Sequence, residues 1–196
     1  MLCTQTAPPT TPTALPTGLL PPPAGQVRQL LSLAERPRAE VKLAATEALG
    51  EIFLGRLLPP RTLRAFERQP LPSTPPTAEV SNGAAEPLLL CMQAYFEAEL
   101  KALYARFVAV VEGGSRDPLV HVRQRMIGQL YVMINGKPEM ERAILAAMIN
   151  KLGDPDKKVA SRLAHLLCQL TVHHPAMKGV LLAEVCTCIC HVTHDT

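Results

Sequence analysis

The thiols and imidazoles of the stretch CTCICHVTH, namely Cys186, Cys188, Cys190, His191 and His194, are the residue types best suited to chemistry. Thiolate and imidazole are zinc's preferred ligands, and four of them can close a tetrahedral site. The spacing argues against it. Alternate cysteines share one side of a strand but spread around a helix, and zinc knuckles usually leave two residues between ligands. His173 and His174 precede Pro175, where capping of free helix carbonyls is their ordinary use. His121 and His165 have no Ser, Cys or carboxylate at a spacing that suggests general-base work. No glycine pattern resembles a phosphate loop. The sequence therefore predicts no catalytic residue, no metal, no cofactor and no small-molecule substrate.

The basic residues carry more weight. Lys151, Lys157, Lys158 and Arg162 bracket one turn, and Arg123 and Arg125 hold the equivalent helix one repeat earlier. Stacked repeats would align these six along one edge able to follow a phosphate backbone. The plain alternative is a solvated face neutralised by Asp117, Glu139, Asp154 and Asp156. Aromatics make up only 4% of the chain, so any RNA contact would be shape-driven rather than built on base stacking. The formal charge of +3 permits an anionic partner without demanding one.

These residues must be positioned by helices. Hydrophobic residues make up 47% of the 196, Trp is absent, and Leu and Ala dominate, which favours helix over strand. No basic segment leads into an apolar one as in a secretory signal, and no apolar run has membrane-spanning length. Cys91 and Cys168 fall on apolar helical faces, so the six cysteines read as free thiols of a soluble protein in a reducing compartment.

Composition divides the chain. Residues 1–23 hold seven of the 19 prolines and read as a disordered, Pro/Thr-rich lead-in. Residues 24–190 read as a helical-repeat domain, interrupted by an irregular Pro-rich loop at about 70–87, and 191–196 as a frayed tail. Within the approach to that loop, Thr62–Gln69 could form a short helix.

The repeat can be counted. Positions 4, 8, 12 and 15 after Pro155 are Val159, Leu163, Leu167 and Leu170. After Pro118 they are Val122, Met126, Leu130 and Met133. After Pro37 they are Val41, Ala45, Leu49 and Ile52. All twelve are apolar and track one helix face. Between the closer copies Pro138 starts another helix, with Ile144, Leu145, Met148, Ile149 and Leu152 on its apolar side. Gly136 and Gly153 read as helix stops, Gly153 in the left-handed conformation, and Asp154 as the cap of the helix opened by Pro155. The expectation is an all-α, HEAT/armadillo-type α-solenoid of stacked antiparallel helix pairs, without a sheet.

The stretches YFEAELKALYARFVAVVE, DPLVHVRQRM and KPEMERAILAAMINKLGDPDKKVAS, with HPAMKGV further on, resemble the CCAAT-binding-factor family of nucleolar complex-associated proteins. The segment EALGEIFLGRLLPPRTLRAFERQPL is similar to the family's approach to its first long loop. The resemblance runs from about residue 26 to 184. It implies a non-enzymatic helical scaffold of the nucleus and nucleolus, joined to the large-subunit pre-ribosomal particle. The implied partner is a second nucleolar-complex protein, with no membrane, and the basic edge adds pre-rRNA as a possible one. The family's older name implies the alternative of a transcription-associated protein, and periodicity alone allows a generic protein-interaction module. Family members continue for hundreds of residues past the HPAMK region, which implies that this chain is a fragment.

Overall fold

The computed structural model describes residues 24–69 and 85–194, with side chains described over 25–69 and 89–187. The lead-in 1–23, most of the expected loop, and residues 195–196 lie outside the described residues. Among the described residues there is no strand. The helices are α1 (Ala24–Ala34), α2 (Ala39–Ile52), α3 (Ala85–Gly114), α4 (Val120–Gly136), α5 (Glu141–Ile149), α6 (Lys157–His173) and α7 (Lys178–His194). A wide turn, Phe53–Leu57, extends α2, and single tight turns stand at Phe66–Arg68 and Pro175–Met177.

The three proline turns each lead into an even-numbered helix, and α2, α4 and α6 pack side by side. Helices α1, α3, α5 and α7 pack in succession as a second row. The counted apolar positions explain this packing. All eight in α4 and α6 are buried, as are Ala45 and Leu49 in α2, while Val41 and Ile52 are half-buried. The odd row contributes Leu103, Tyr104, Phe107, Val108 and Val111 from α3 and Ile144, Leu145, Met148 and Ile149 from α5. Three of the few aromatics gather in one cluster. The Phe53 ring lies 5.3 Å from Tyr104, edge-on, and 5.2 Å from Phe107, stacked.

The turns differ from expectation in chemistry. Gly136 ends α4 as expected, but no described glycine has a positive φ, so Gly153 does not adopt the left-handed conformation. Met140 does adopt it, with φ 56°, just before α5. Glu139 beside it is 2% exposed and tied to two other elements, which holds the strained residue in place. Helix α5 accordingly starts three residues after Pro138. It ends at Ile149, which leaves Leu152 exposed rather than on its apolar face. Asp156, not Asp154, caps α6, accepting the backbone N–H groups of Lys158 at 2.8 Å and Val159 at 3.4 Å. Of the expected Thr62–Gln69 helix only the turn Phe66–Arg68 forms. Helix α3 begins at Ala85, so Pro87 sits in its first turn, where no amide donor is missed. Helix α7 runs to His194, past the expected end at 190.

Candidate functional site

The turns that introduce α4 and α6 are built on aspartates and on bases reaching across from the preceding helix of the row. Lys42 of α2 donates to Asp117 at 2.8 Å, with the two side chains 15% and 11% exposed. Arg123 of α4 does the same for the next turn. Its Nε lies 3.3 Å from Asp154 Oδ2 and its Nη2 3.4 Å from Oδ1, the side chains being 12% and 2% exposed. Arg123 Nη1 also donates to the carbonyls of Asp117 at 3.0 Å and Pro118 at 3.2 Å. One guanidinium thus fastens its own turn and the following one. Asp154 in turn accepts the backbone N–H of Asp156 at 3.0 Å, an Asx turn that presents Asp156 to α6.

The aspartates are therefore engaged inward. Lys42 holds the Asp117 carboxyl below the usual carboxylate range by its hydrogen bond; burial opposes this, and the Leu119 N–H adds to it. Asp154 belongs to Arg123. Asp156 is turned to the amides of α6. Glu139, expected to neutralise the edge, is buried elsewhere, accepting from the Leu63 backbone N–H at 2.6 Å and Lys101 Nζ at 3.2 Å.

The six expected basic residues fall into two sets. Arg123 is interior, as described. Arg125 pairs with Glu47 of α2 across the row, both largely exposed. Lys157, Lys158 and Arg162 are exposed on α6 and Lys151 is half-exposed in the turn; no ion pair involves any of the four among the described residues. Arg162 lies over α4, its Nη2 3.7 Å from where a Cβ on Gly128 would stand.

The histidines stay in structural positions. The His173 ring lies 2.8 Å from the Gln169 carbonyl, and His174 Nε2 lies 2.9 Å from Asn135 Oδ1, joining the ends of α6 and α4. Cys186 is exposed on α7, whose helical backbone spreads alternate positions around its axis. The side chains of Cys188, Cys190, His191 and His194 lie outside the described set.

Sequence reasoning missed two carboxylates that pin the strap 58–69. Glu97 of α3 accepts from Arg61, from the Arg64 backbone N–H at 2.7 Å and from Gln69 Nε2 at 2.9 Å. Chiefly through Arg61, its carboxyl is held down at about 2. Glu139 fastens the other side of the strap at Leu63, and Lys101 donates to the Leu63 carbonyl at 2.8 Å. Nearby, burial pushes the Tyr104 phenol above its ordinary range, and the charge of Glu139 adds to that.

The arrangement is a two-row helical body with exposed cations at the start of α6. No family model matches the chain. It is 35% identical to human CCAAT/enhancer-binding protein zeta over 161 residues, 81% of this chain and 15% of that protein. It is 34% identical to ribosome biogenesis protein NOC1 of Chaetomium thermophilum over 167 residues, 80% and 16% of the two chains. A 90-residue match to nucleolar complex protein 1 of Drosophila melanogaster is 37% identical, covering 46% and 8%. The chain belongs to the CCAAT-binding-factor, nucleolar-complex-1 type family. It spans about one sixth of the length of the first two relatives.

Proposed function

We propose that this chain is a non-enzymatic scaffold module for assembling the large ribosomal subunit precursor in the nucleolus. In this reading the two rows are HEAT/armadillo-type repeats of an α-solenoid, spanning residues 24–190 between a Pro/Thr-rich lead-in and a short tail. Its partners are a second nucleolar-complex protein and the pre-ribosomal particle. The relatives named for ribosome biogenesis and for a nucleolar complex support the setting. The repeated clamp, Lys42 to Asp117 and Arg123 to Asp154, supports the repeat reading.

One observation supports contact with precursor RNA. The acids that would neutralise the corner are engaged inward, while Lys151, Lys157, Lys158 and Arg162 are in no ion pair among the described residues. Four cations on one corner suit a phosphate backbone read by shape. In this reading Arg123 fastens the turns before α4 and α6, and Arg125 ties α4 to α2. The relative named as a CCAAT/enhancer-binding protein favours a second reading, a transcription-associated factor.

The test is affinity purification of the tagged full chain from cells, followed by RNA sequencing and mass spectrometry. Enrichment of large-subunit precursor RNA with nucleolar-complex proteins is expected. Enrichment of promoter DNA and transcription factors without precursor RNA would favour the second reading.

A further inference from the structure

Both steps along the even-numbered row use the same positions, counted from the proline that opens each helix. Position 5 of one helix reaches the aspartate just before the next proline: Lys42 to Asp117, then Arg123 to Asp154. Position 10 meets position 7 of the next helix, where Glu47 pairs with Arg125 and Arg162 stands over Gly128. At position 9 Thr46 and Ile127 are buried. A Cβ on Gly50, at position 13, would run into the Gln129 side chain, at position 11. Position 17 meets the next helix end: Leu54 lies 3.5 Å from where a Cβ on Gly136 would stand, and Asn135 bonds to His174. Each of these helices thus has an outgoing face, at positions 5, 9, 10, 13 and 17, and an incoming face, at 7, 11 and 18.

Two of these faces lie open. On the outgoing face of α6, Ala164, His165 and Cys168 are exposed and Val172 is 75% exposed, where the earlier helices are covered. On the incoming face of α2, Ala44 and Gly55 are exposed, and nothing stands within 4 Å of a Cβ on Gly55. The two faces suit each other. Small side chains on both let the helix axes approach closely. Their charges match as well. Ala160 replaces the base at position 5, so an aspartate brought against it would be buried unpaired. The α2 end brings no aspartate: Arg36 stands before Pro37, and its long stem can lie along the contact with the guanidinium in water.

We propose that the outgoing face of α6 in one copy docks on the incoming face of α2 in a second, continuing the even-numbered row from chain to chain. The contact uses different surfaces on the two copies, so association runs past the dimer. Sedimentation velocity of the full chain in reducing buffer tests it. Over about a hundredfold range of concentration the average mass should more than double. Ala164→Arg blocks one face and Ala44→Arg the other; both sites are exposed, so circular dichroism should match the parent. Each variant alone should stay a monomer. Their mixture should form a one-to-one dimer and nothing larger, because each partner keeps one intact face. A parent that stays monomeric, or that stops at a dimer, overturns the proposal. Variants that assemble as the parent does, or that stay monomeric when mixed, overturn it too. A second measurement needs no variant. Amide exchange in α2 and α6 should slow at least about threefold from dilute to concentrated parent, with α4 unchanged. Equal slowing in α4, or none in α2 and α6, overturns the proposal.

Discussion

Arg123 and Lys158 are bases on adjacent helices of one row, two residues apart in their repeat registers, and they lead opposite lives. Arg123 sits 12% exposed with its guanidinium on Asp154 and two carbonyls. Lys158 is exposed at the start of α6 and lends only its backbone N–H to Asp156. Charge at a turn is therefore no guide to binding until its partners are known. Arg123 follows an aspartate-proline step whose successor, one repeat on, supplies a buried carboxylate. Ala160 stands where α6 would carry the equivalent base, so the clamp is not repeated after α6.

The comparison predicts its largest effect at Arg123. Arg123→Ala leaves Asp154, 2% exposed, without its counter-charge, which should cost roughly 3–5 kcal/mol in urea unfolding. Lys158→Ala should stay within about 0.5 kcal/mol of the parent. Similar losses for the two would abolish the distinction between clamp and corner. An apolar truncation sets the scale. Leu167, 6% exposed on the face of α6 that packs on α4, should cost roughly 2–5 kcal/mol when changed to Ala. Leu152→Ala, on an exposed side chain, should cost less than about 1 kcal/mol, and thermal melts would rank the two.

Acid should loosen the strap through Glu97. Glu97 titrates at about 2 when folded, below its ordinary 4.5, so its contribution is present above about pH 4.5 and lost as pH falls toward 2. The protection factor of the Arg64 amide, which donates to Glu97, should fall across that window by less than tenfold per pH unit. Glu97→Gln should flatten the dependence. A flat profile in the parent would show that the strap is held by Glu139 instead.

Much of this was legible. The even-numbered helices stand out in sequence because positions 4, 8, 12 and 15 after each proline recur on a 3.6-residue period, and local periodicity survives folding. The turns were harder. Asp154 and Asp156 are both plausible caps, and only the Asx turn between them decides that Asp156 takes the role. The carboxylate hubs were out of reach, since Glu97 meets Arg61 and Glu139 meets Leu63 from 36 and 76 residues away. Nothing in a one-dimensional pattern marks such pairs. Arg123 did leave a signal: a base five residues after the proline recurs at Lys42, and an aspartate precedes the proline at both 117 and 154.

The smallest structural effect and the most informative functional one come from the corner. Lys157→Glu with Lys158→Glu removes two exposed cations at the start of α6, where acidic side chains suit the positive end of the helix dipole. Helix content and melting temperature should hold. Binding to large-subunit precursor RNA should weaken, and the slope of log affinity against log salt should become shallower by roughly 1.4–1.8, the value for two phosphates no longer neutralised. Arg125→Glu is the matched control, because Arg125 is already paired with Glu47. It should leave the slope nearly unchanged while breaking a surface pair worth at most about 1 kcal/mol. If the control and the double variant shift the slope equally, the RNA surface includes α4 and the corner is not special. If neither shifts it, RNA contact through this face is excluded, and the helical rows remain as a platform for proteins.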